Sequence, residues 1–454
     1  MKLFKSITAG VAALSLLTSA QASVTKIDIT GSSAFRKSVF KAIGDMMQPG
    51  TLEVAYTGAT FTSAGAANFT GFTAASGGVD QVLIRTSFSG SVGGIINVSQ
   101  GTAPTWGFLA VATQTASATI GAGAAITGGS GGYTGASINA TTGVITDNAQ
   151  SDHPTNVPVC FSDVFQSTSG FTSAADAPYT ATDLTENSVG VISFQWVASA
   201  SAPSYLTNIN VGQANQLFSA GAMPLSILTG SASDRTTLYT PAHKTLGYVS
   251  YTANQAPAYV FALGRDIDSG TRATALIEAG IGFGGSVIQF APIDAGSAIV
   301  TSNATTIANH QLYPAETLNG FGYSAGNTGY NSGGTLAKAM GAPGSLAAIG
   351  GYYITYLSTG DAATAVGFGA HTLTWNGNAY ASAADVQEGK YSFWGYEHMD
   401  WIPSLADNGQ FSGSKELTIT TLLKNQVIAD ASTAGIAIST MNVQRASDGA
   451  AITY

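Results

Sequence analysis

The chain has 454 residues, of which 9% are charged, and its formal net charge is −9. Globular proteins average about 25% charged residues, and here Gly, Ala, Ser and Thr take their place. The acidic balance argues against nucleic acid and anionic membrane surfaces as general partners, although a local array of donors can still bind an anion. The length is sufficient for two lobes or domains.

The N-terminus has the pattern of a secretory signal peptide. Lys2 and Lys5 form a basic start, and the apolar run Ile7–Leu17 is too short to span a bilayer. A small-residue cleavage signal follows at Ser19–Ala22. We therefore expect residues 1–22 to be removed, with no lipid anchor because no cysteine sits at the cleavage site, and with no membrane insertion. The sequence predicts a periplasmic or secreted protein.

A strand–loop–helix unit opens the mature chain, and a further strand and loop follow it. Thr25–Thr30 alternates as a strand and ends at the small-residue loop Gly31–Phe35. The helical spacing of Lys37–Met47 follows it. Val82–Ser87 is a second strand, and it leads into the Gly/Ser loop Gly90–Ile95. Both units place hydroxyls and backbone N–H groups directly after a strand.

A Gly/Ala/Thr-rich stretch at about residues 102–156 is interpreted as an insertion. The buried-type strand Val157–Phe161 follows it and ends at Ser162 and Asp163. Cys160, the single cysteine, cannot form an internal disulfide and is expected to be a small buried hydrophobe. An exported protein without a disulfide pair fits a bacterial periplasm or exterior.

The remaining elements suggest a second lobe. The long apolar strand Val189–Val197 is predicted to carry the chain across, and the return is predicted near Leu357–Thr374. Between them, the strand Ala258–Leu263 leads into the run Gly264–Arg272. This run contains the permanently charged guanidinium of Arg265, followed by two hydroxyl residues and a glycine in Ser269–Thr271. The helix-like segment Ala273–Ala279 comes next. Backbone N–H groups at a helix start, together with a planar guanidinium, suit an oxyanion.

Strands that alternate with helices predict an α/β fold. The predicted first lobe comprises residues 23–188 and 370–454, and the predicted second lobe comprises residues 189–369. In open α/β sheets, ligands bind beyond the carboxyl ends of the strands. We call Gly31–Phe35, Gly90–Ile95, Ser162-Asp163 and Arg265–Thr271 the four polar loops. They would all lie at such ends.

The order of these loops resembles that of the periplasmic phosphate-binding protein family, the substrate-binding subunits of phosphate ABC importers. Gly31–Phe35 is similar to the family's Gly-Ser-Ser-Thr or Gly-Ala-Gly-Ala-Thr-Phe loop, and Gly90–Gly94 to its Gly-Ser-x-Gly-Gly loop. Ser162-Asp163 matches the family's Ser-Asp, and Arg265–Thr271 its Arg-x-x-x-Ser-Gly-Thr. The resemblance covers most of the mature chain in order, apart from the insertion.

The resemblance implies a two-lobed type II periplasmic-binding-protein fold in which each lobe is a mixed sheet flanked by helices. It implies capture of inorganic phosphate for a membrane ABC permease, without a cofactor and without enzyme activity. We expect a monomer. The ligand set carried over by position is Ser33, Ala34, Phe35, Ser91, Asp163, Arg265, Ser269, Gly270 and Thr271.

In that set, the Phe35 N–H and Ser91 donate from the first lobe, and Asp163 accepts the phosphate proton. Arg265 and the Ser269–Thr271 turn hold the ligand from the second lobe. One of two neighbouring carboxylates, Asp266 or Asp268, is expected to orient Arg265.

Ala34 departs from the family, which has a hydroxyl donor at that position. Either Ser33 or Ser32 compensates through a shifted loop, or one donor is lost at a cost of about 1–3 kcal/mol.

Asp163 is the predicted selector. A carboxylate facing a tetrahedral oxyanion is repulsive unless the ligand carries a proton to donate. Phosphate carries one near neutral pH and sulfate does not, so discrimination on the order of 10⁴-fold is reachable. The alternative role of a Ser-Asp pair is a helix N-cap or a surface turn.

Other interpretations stay open. The same fold could bind another oxyanion or an organic ligand, with the aromatic residues Trp375, Trp394, Tyr396 and Trp401 lining a wider cleft, although core packing is favoured for them. The composition also suits a surface or outer-membrane structural protein, and a phosphatase on this fold would need a nucleophile or metal cluster. Glu397–Asp400 could contact a metal, but a structural or surface role is favoured.

Overall fold

A computed structural model describes residues 24–57, 61–77, 80–109, 152–230, 258–343, 351–408 and 414–454. The predicted signal peptide, and residues 110–151 of the predicted insertion, lie outside these described residues. Across the described ranges, none of the helices is both long and apolar enough to cross a membrane.

The strands and helices alternate along the chain. The strands are β1 (Thr25–Gly31), β2 (Glu53–Tyr56), β3 (Ala66–Phe72), β4 (Gln81–Ser87), β5 (Val159–Ser162), β6 (Phe171–Thr172), β7 (Tyr179–Thr180), β8 (Ser188–Ala198), β9 (Asn208–Ile209), β10 (Ala222–Pro224), β11 (Tyr259–Ala262), β12 (Phe290–Ile293), β13 (Asn309–Leu312), β14 (Glu316–Leu318), β15 (Phe321–Tyr323), β16 (Gly351–Ser358), β17 (His371–Trp375) and β18 (Trp394–Trp401). The α-helices are α1 (Arg36–Asp45), α2 (Ser91–Gln100), α3 (Gln166–Ser169), α4 (Val211–Ala220), α5 (Leu225–Thr229), α6 (Gly270–Glu278), α7 (Gly333–Met340), α8 (Thr359–Gly367), α9 (Ala383–Gln387) and α10 (Glu416–Ala429).

Twelve strands form one mixed sheet in the order β10-β11-β16-β8-β18-β5-β1-β4-β3-β2, with β17 paired to β8 and β9 paired to β17. β1 runs parallel to β4 and β5, and β11 runs parallel to β16. α2 packs on β1 and β5, α10 on β1 and β8, and α8 on β8 and β16. The predicted α/β class, a mixed sheet flanked by helices, is confirmed.

The long strand β8 divides the sheet into two groups. Its residues Ser188–Ser193 pair with β18, and Phe194–Ala198 pair with β16. We call β2, β3, β4, β1, β5 and β18 the first strand group, and β10, β11 and β16 the second strand group. β5 runs in the same direction as β8, because both are antiparallel to β18, whereas β11 and β16 run in the opposite direction. β5 and β11 therefore point towards each other along the direction of β8, so that their carboxyl ends both face its middle.

The strand pairing also bears on where the chain returns to the first strand group. His371–Leu373 of β17 pair with the end of β8 that carries β16. The next strand of the large sheet, β18, pairs with β5 of the first group. The return near Leu357–Thr374 stays a prediction. The lobe limits at 188 and 370 stay predictions.

The aromatic residues near this return pack into the core. Trp196 of β8 stacks on Trp375 and on Phe393, in both cases with ring centroids 5.5 Å apart. Trp394 is fully buried. Core packing, the favoured prediction for this cluster, is confirmed for the three tryptophans, and Tyr396 is half-buried. Cys160 is buried and free, as predicted.

The residues on either side of 110–151 are adjacent in space. Phe108 and Asp152 exchange two backbone hydrogen bonds of 2.7 and 3.2 Å. The Asp152 carboxylate also pairs with the buried Arg85, which makes a bidentate contact of 2.6 Å with Asp28. The chain therefore leaves the first strand group and rejoins it at neighbouring points.

Candidate functional site

The four predicted loops meet at one small cavity. Its lining consists of small, polar and charged residues: Ser32, Ser33, Ala34, Gly90, Ser91, Asp163, Arg265, Ser269, Gly270 and Thr271. Of the predicted ligand set, Phe35 alone is outside this lining. Its ring is buried and packs near Gly190 and Gly435. The structure brings the other predicted residues together, and their roles towards a ligand stay predictions.

Three helices begin at the cavity. The residues that precede them, Phe35 before α1, Gly90 before α2 and Ser269 before α6, are their N-caps. A helix start carries N–H groups without intrahelical partners and a partial positive charge, which favour an anion. The Ser269 hydroxyl accepts a 3.3 Å hydrogen bond from the Arg272 N–H and so fixes the first turn of α6.

The start of α2 contacts the loop that follows β11 of the second strand group. The N–H groups of Val92 and Gly93 donate to the Asp268 carbonyl at 2.9 and 3.3 Å. Gly90 has a φ of 101°, which only glycine adopts readily, and a Cβ there would overlap the same carbonyl. α2 therefore presents mainly the Ser91 side chain to the cavity.

Asp163 lies between the two strand groups. Ser91 donates to its Oδ1, and Thr271 donates to its Oδ2 at 3.3 Å. Burial raises the pKa of the Asp163 carboxyl, and the hydrogen bond from Ser91 opposes that shift. Gly270 packs against the carboxylate so closely that a Cβ would overlap Oδ1. An acceptor from one group thus faces the helix start of the other.

Arg265 is oriented by backbone carbonyls. Its Nε donates to Tyr330 O and its Nη2 donates to Asn331 O, both at 3.0 Å. The expectation that Asp266 or Asp268 orients it is wrong, because neither carboxylate accepts from this guanidinium within the part of the chain that the structure describes. Nη1 makes no hydrogen bond to the described residues. The guanidinium is therefore held in place while the N–H groups of Nη1 stay available to a ligand.

Residues that the sequence analysis missed hold the main chain at Arg265. Arg272 Nη1 and Gln289 Nε2 each donate to the Arg265 carbonyl at 3.1 Å. The Tyr356 hydroxyl accepts from the Arg265 N–H at 3.3 Å. Arg272 stands in the same short run as Arg265, which was an available signal. Gln289 and Tyr356 come from distant segments that carry no such motif.

Glu397 is a second buried carboxyl beside Asp163. It is fully buried, and burial followed by the charge of Asp163 raises its pKa well above the usual range. The Ser32 hydroxyl donates to Glu397 Oε2 at 3.4 Å and accepts from the Ala34 N–H at 3.3 Å. Ser32 is therefore engaged within the protein, which leaves Ser33 as the hydroxyl available to replace the donor missing at Ala34.

Asn319 joins the β14–β15 hairpin to the first strand group. Its Nδ2 donates to both carboxylate oxygens of Asp268, at 2.9 and 2.8 Å. Its Oδ1 accepts from Asn97 of α2 and from Thr105, both at 3.1 Å. Asn319 has a φ of 49°, a left-handed conformation that asparagine tolerates better than most residues. This contact was not predicted, because nothing near Asn319 in the sequence marks it.

The chemistry of the cavity follows from its lining. Hydroxyls, helix N–H groups and one guanidinium donate, and one carboxylate accepts. Among the described lining residues there is no cysteine, histidine or aromatic side chain. The arrangement therefore suits a small anion that also carries a proton, and Ala34 is the one apolar side chain among the described lining residues.

No protein-family model matches this sequence, and no curated protein matches it. Among solved structures, a protein from Clostridium perfringens, described as a phosphate ABC transporter substrate-binding protein with bound phosphate, is similar at 10% identity and a TM-score of 0.41. The match covers 91% of this chain and 99% of that one. An ABC-type phosphate transport receptor from Vibrio cholerae is similar at 9% identity and a TM-score of 0.39, over 89% and 98% of the two chains. At such TM-scores, the likeness does not determine what this chain binds.

Proposed function

We propose that this protein is an exported solute-binding protein that captures inorganic phosphate between two lobes for ABC-type import. The lobes correspond to the first and second strand groups with their helices, and β8 is one of the connections between them. Of the solved structures named above, one has phosphate bound and the other is described as a phosphate transport receptor. We extend phosphate to this chain on the strength of its own cavity.

The carrying observation is the placement of Asp163. This buried carboxyl stands opposite Arg265 and the start of α6, so the cavity offers one acceptor among several donors. HPO₄²⁻ and H₂PO₄⁻ match that pattern, because their oxygens accept from the donors and their hydroxyl donates to the carboxylate. A fully ionised sulfate brings no proton to Asp163 and places an anion against a buried carboxylate, which is costly.

The proposed ligand contacts follow from the same geometry. Ser33, Ser91 and the Phe35 N–H contribute from the first strand group, beside Asp163. Arg265 and the α6 start, Ser269–Thr271, contribute from the second. Since Thr271 already donates to Asp163, a ligand that bridges the two groups would favour the state in which they are in contact.

The cellular setting is part of the proposal. The predicted signal peptide at residues 1–22 supports a periplasmic or secreted location, and an ABC permease in the membrane would be the partner. We propose a monomer that binds the ligand without turnover.

Calorimetric titration of the mature protein with inorganic phosphate tests this function. One binding site per chain is expected, together with no release of phosphate from a phosphomonoester. Absence of phosphate heat would remove the proposed ligand. Turnover of the phosphomonoester would replace binding with catalysis.

A further inference from the structure

A second cluster of ionisable side chains lies outside the cavity lining, and it consists of Glu186, His398 and Asp400. Each offers one ligand atom, and the three atoms lie within 4.8 Å of one another. His398 and Asp400 are two residues apart on β18, so their side chains project from the same face of that strand. Glu186 comes from the segment that precedes β8.

Two members of this cluster are buried without the partners that their chemistry requires. His398 is 1% exposed, and neither ring nitrogen has a hydrogen-bond partner among the described residues. Asp400 is fully buried, and its Oδ1 accepts from the Asn187 N–H at 3.2 Å. Its Oδ2 has no partner in the described ranges. Buried polar atoms are satisfied in nearly all native structures, so these three atoms call for a ligand.

The charges of the cluster point in the same direction. Glu186 and Asp400 bring two carboxyl groups beside one imidazole. Among the residues that the structure describes, neither carboxyl group forms a salt bridge with a lysine or an arginine. A divalent cation would balance both carboxylates and use the imidazole as a ligand.

We propose that Glu186, His398 and Asp400 bind one divalent transition-metal ion of the zinc class. Imidazole nitrogen and carboxylate oxygen are both zinc ligands, and the cluster offers three of them with a position left open. Ligand atoms about 2.1 Å from a shared ion lie up to about 4.2 Å apart, so small side-chain shifts close the site. Glu186 is exposed and gives the ion an entry path.

The bound ion would brace the segment that follows β5. His398 lies opposite Ser162 in the β5–β18 pairing, and its ring faces Phe165 with centroids 4.4 Å apart. The Gln166 N–H donates to Glu186 at 2.5 Å. The metal would therefore fix both ends of the turn that carries Asp163, and this effect does not depend on what the cavity binds.

The test is calorimetric titration with Zn²⁺ of the untagged mature protein, freed of metal with a chelator. We expect one equivalent of Zn²⁺ to bind and to raise the thermal midpoint, because an ion that binds only the folded state stabilises it. His398→Gln and Asp400→Asn are expected to abolish both effects. Glu186→Gln is expected to weaken Zn²⁺ binding at least about tenfold.

The control is His371→Gln. His371 is half-buried and its Nε2 lies 3.0 Å from the Leu206 carbonyl, remote in sequence from the cluster. This variant should keep the full Zn²⁺ effect. Failure of the wild-type protein to bind one equivalent would overturn the proposal, as would unchanged binding by Glu186→Gln. Because Glu186 is exposed, that variant decides the matter even if His398→Gln does not fold.

Discussion

The two sides of the cavity are built in opposite ways. On the second-group side, backbone carbonyls fix Arg265 and the Ser269 cap starts α6, so the groups that face the cavity donate. On the first-group side, the central group is the Asp163 carboxylate, with the buried Glu397 behind it. A ligand that satisfies both sides must accept hydrogen bonds from one and donate to the other. The two sides together therefore restrict the expected ligand to a protonated oxyanion, which neither side would do alone.

Replacing the acceptor should have the largest effect on this asymmetry. Asp163→Asn keeps the shape but removes the charge and adds a donor, so sulfate should bind and the preference for phosphate should fall from on the order of 10⁴-fold to within about tenfold. Calorimetry with both anions measures it. Asp183→Asn, at an exposed position, is the control and should keep the wild-type preference.

The pH dependence provides a second readout on Asp163. Because burial raises the pKa of its carboxyl, Asp163 takes up a proton at a higher pH than an exposed aspartate does. Once protonated, it can donate to sulfate. Sulfate affinity of the wild-type protein should therefore rise as the pH falls, and that of Asp163→Asn should not. A sulfate affinity that is flat in both proteins would remove Asp163 as the selector.

Truncating the main donor should have the next largest effect. Arg265→Ala removes a buried guanidinium that no other lining residue replaces, and phosphate affinity should fall about 10²- to 10³-fold. Arg265→Lys keeps the charge but loses the planar guanidinium that donates to Tyr330 and Asn331 in a fixed geometry, so an intermediate loss is expected. Phosphate titrations measure both variants, and thermal midpoints without ligand check the fold. Wild-type affinity in Arg265→Ala would place the anion elsewhere.

The close approach of the two sides can be tested with one methyl group. Gly270→Ala places a Cβ where the Asp163 carboxylate lies, so phosphate affinity should fall about 5- to 100-fold through overpacking. Gly360→Ala, at a helix position where a Cβ would have no neighbour within 4 Å, is the matched control. Equal phosphate affinities in the two variants would mean that Asp163 and α6 do not meet in solution.

The Asn319 contact should have the smallest effect. Asn319→Gly removes the side chain that links Asp268 to α2 while allowing the left-handed backbone. If the contact favours the state in which the two groups meet, phosphate affinity should fall about fivefold, with the number of sites unchanged. Asn408→Gly, at another left-handed asparagine, should bind as the wild-type protein does. No loss in Asn319→Gly would show that the contact does not assist binding.

The sequence predicted the lining of the cavity because each loop directly follows a strand. Ser91, Asp163 and Arg265 stand just beyond the carboxyl ends of β4, β5 and β11, and such ends converge in open sheets. The long strand β8 was also predicted, because an apolar run of that length must be buried on both faces.

The support of the site was not predictable in the same way. Asn319 and Gln289 come from segments that are distant in sequence and carry no motif, and Glu397 was considered only as part of a possible metal contact. The predicted partners of Arg265 were wrong for a physical reason. Carbonyls can orient a guanidinium as well as carboxylates can, and a sequence does not show where its carbonyls point.

The central claim is that the cavity requires a ligand that both accepts and donates. The most direct test is a pair of calorimetric titrations of the wild-type mature protein at pH 8, one with phosphate and one with sulfate. We predict one phosphate site per chain and sulfate binding that is weaker on the order of 10⁴-fold. Equal affinities for the two anions would contradict the claim.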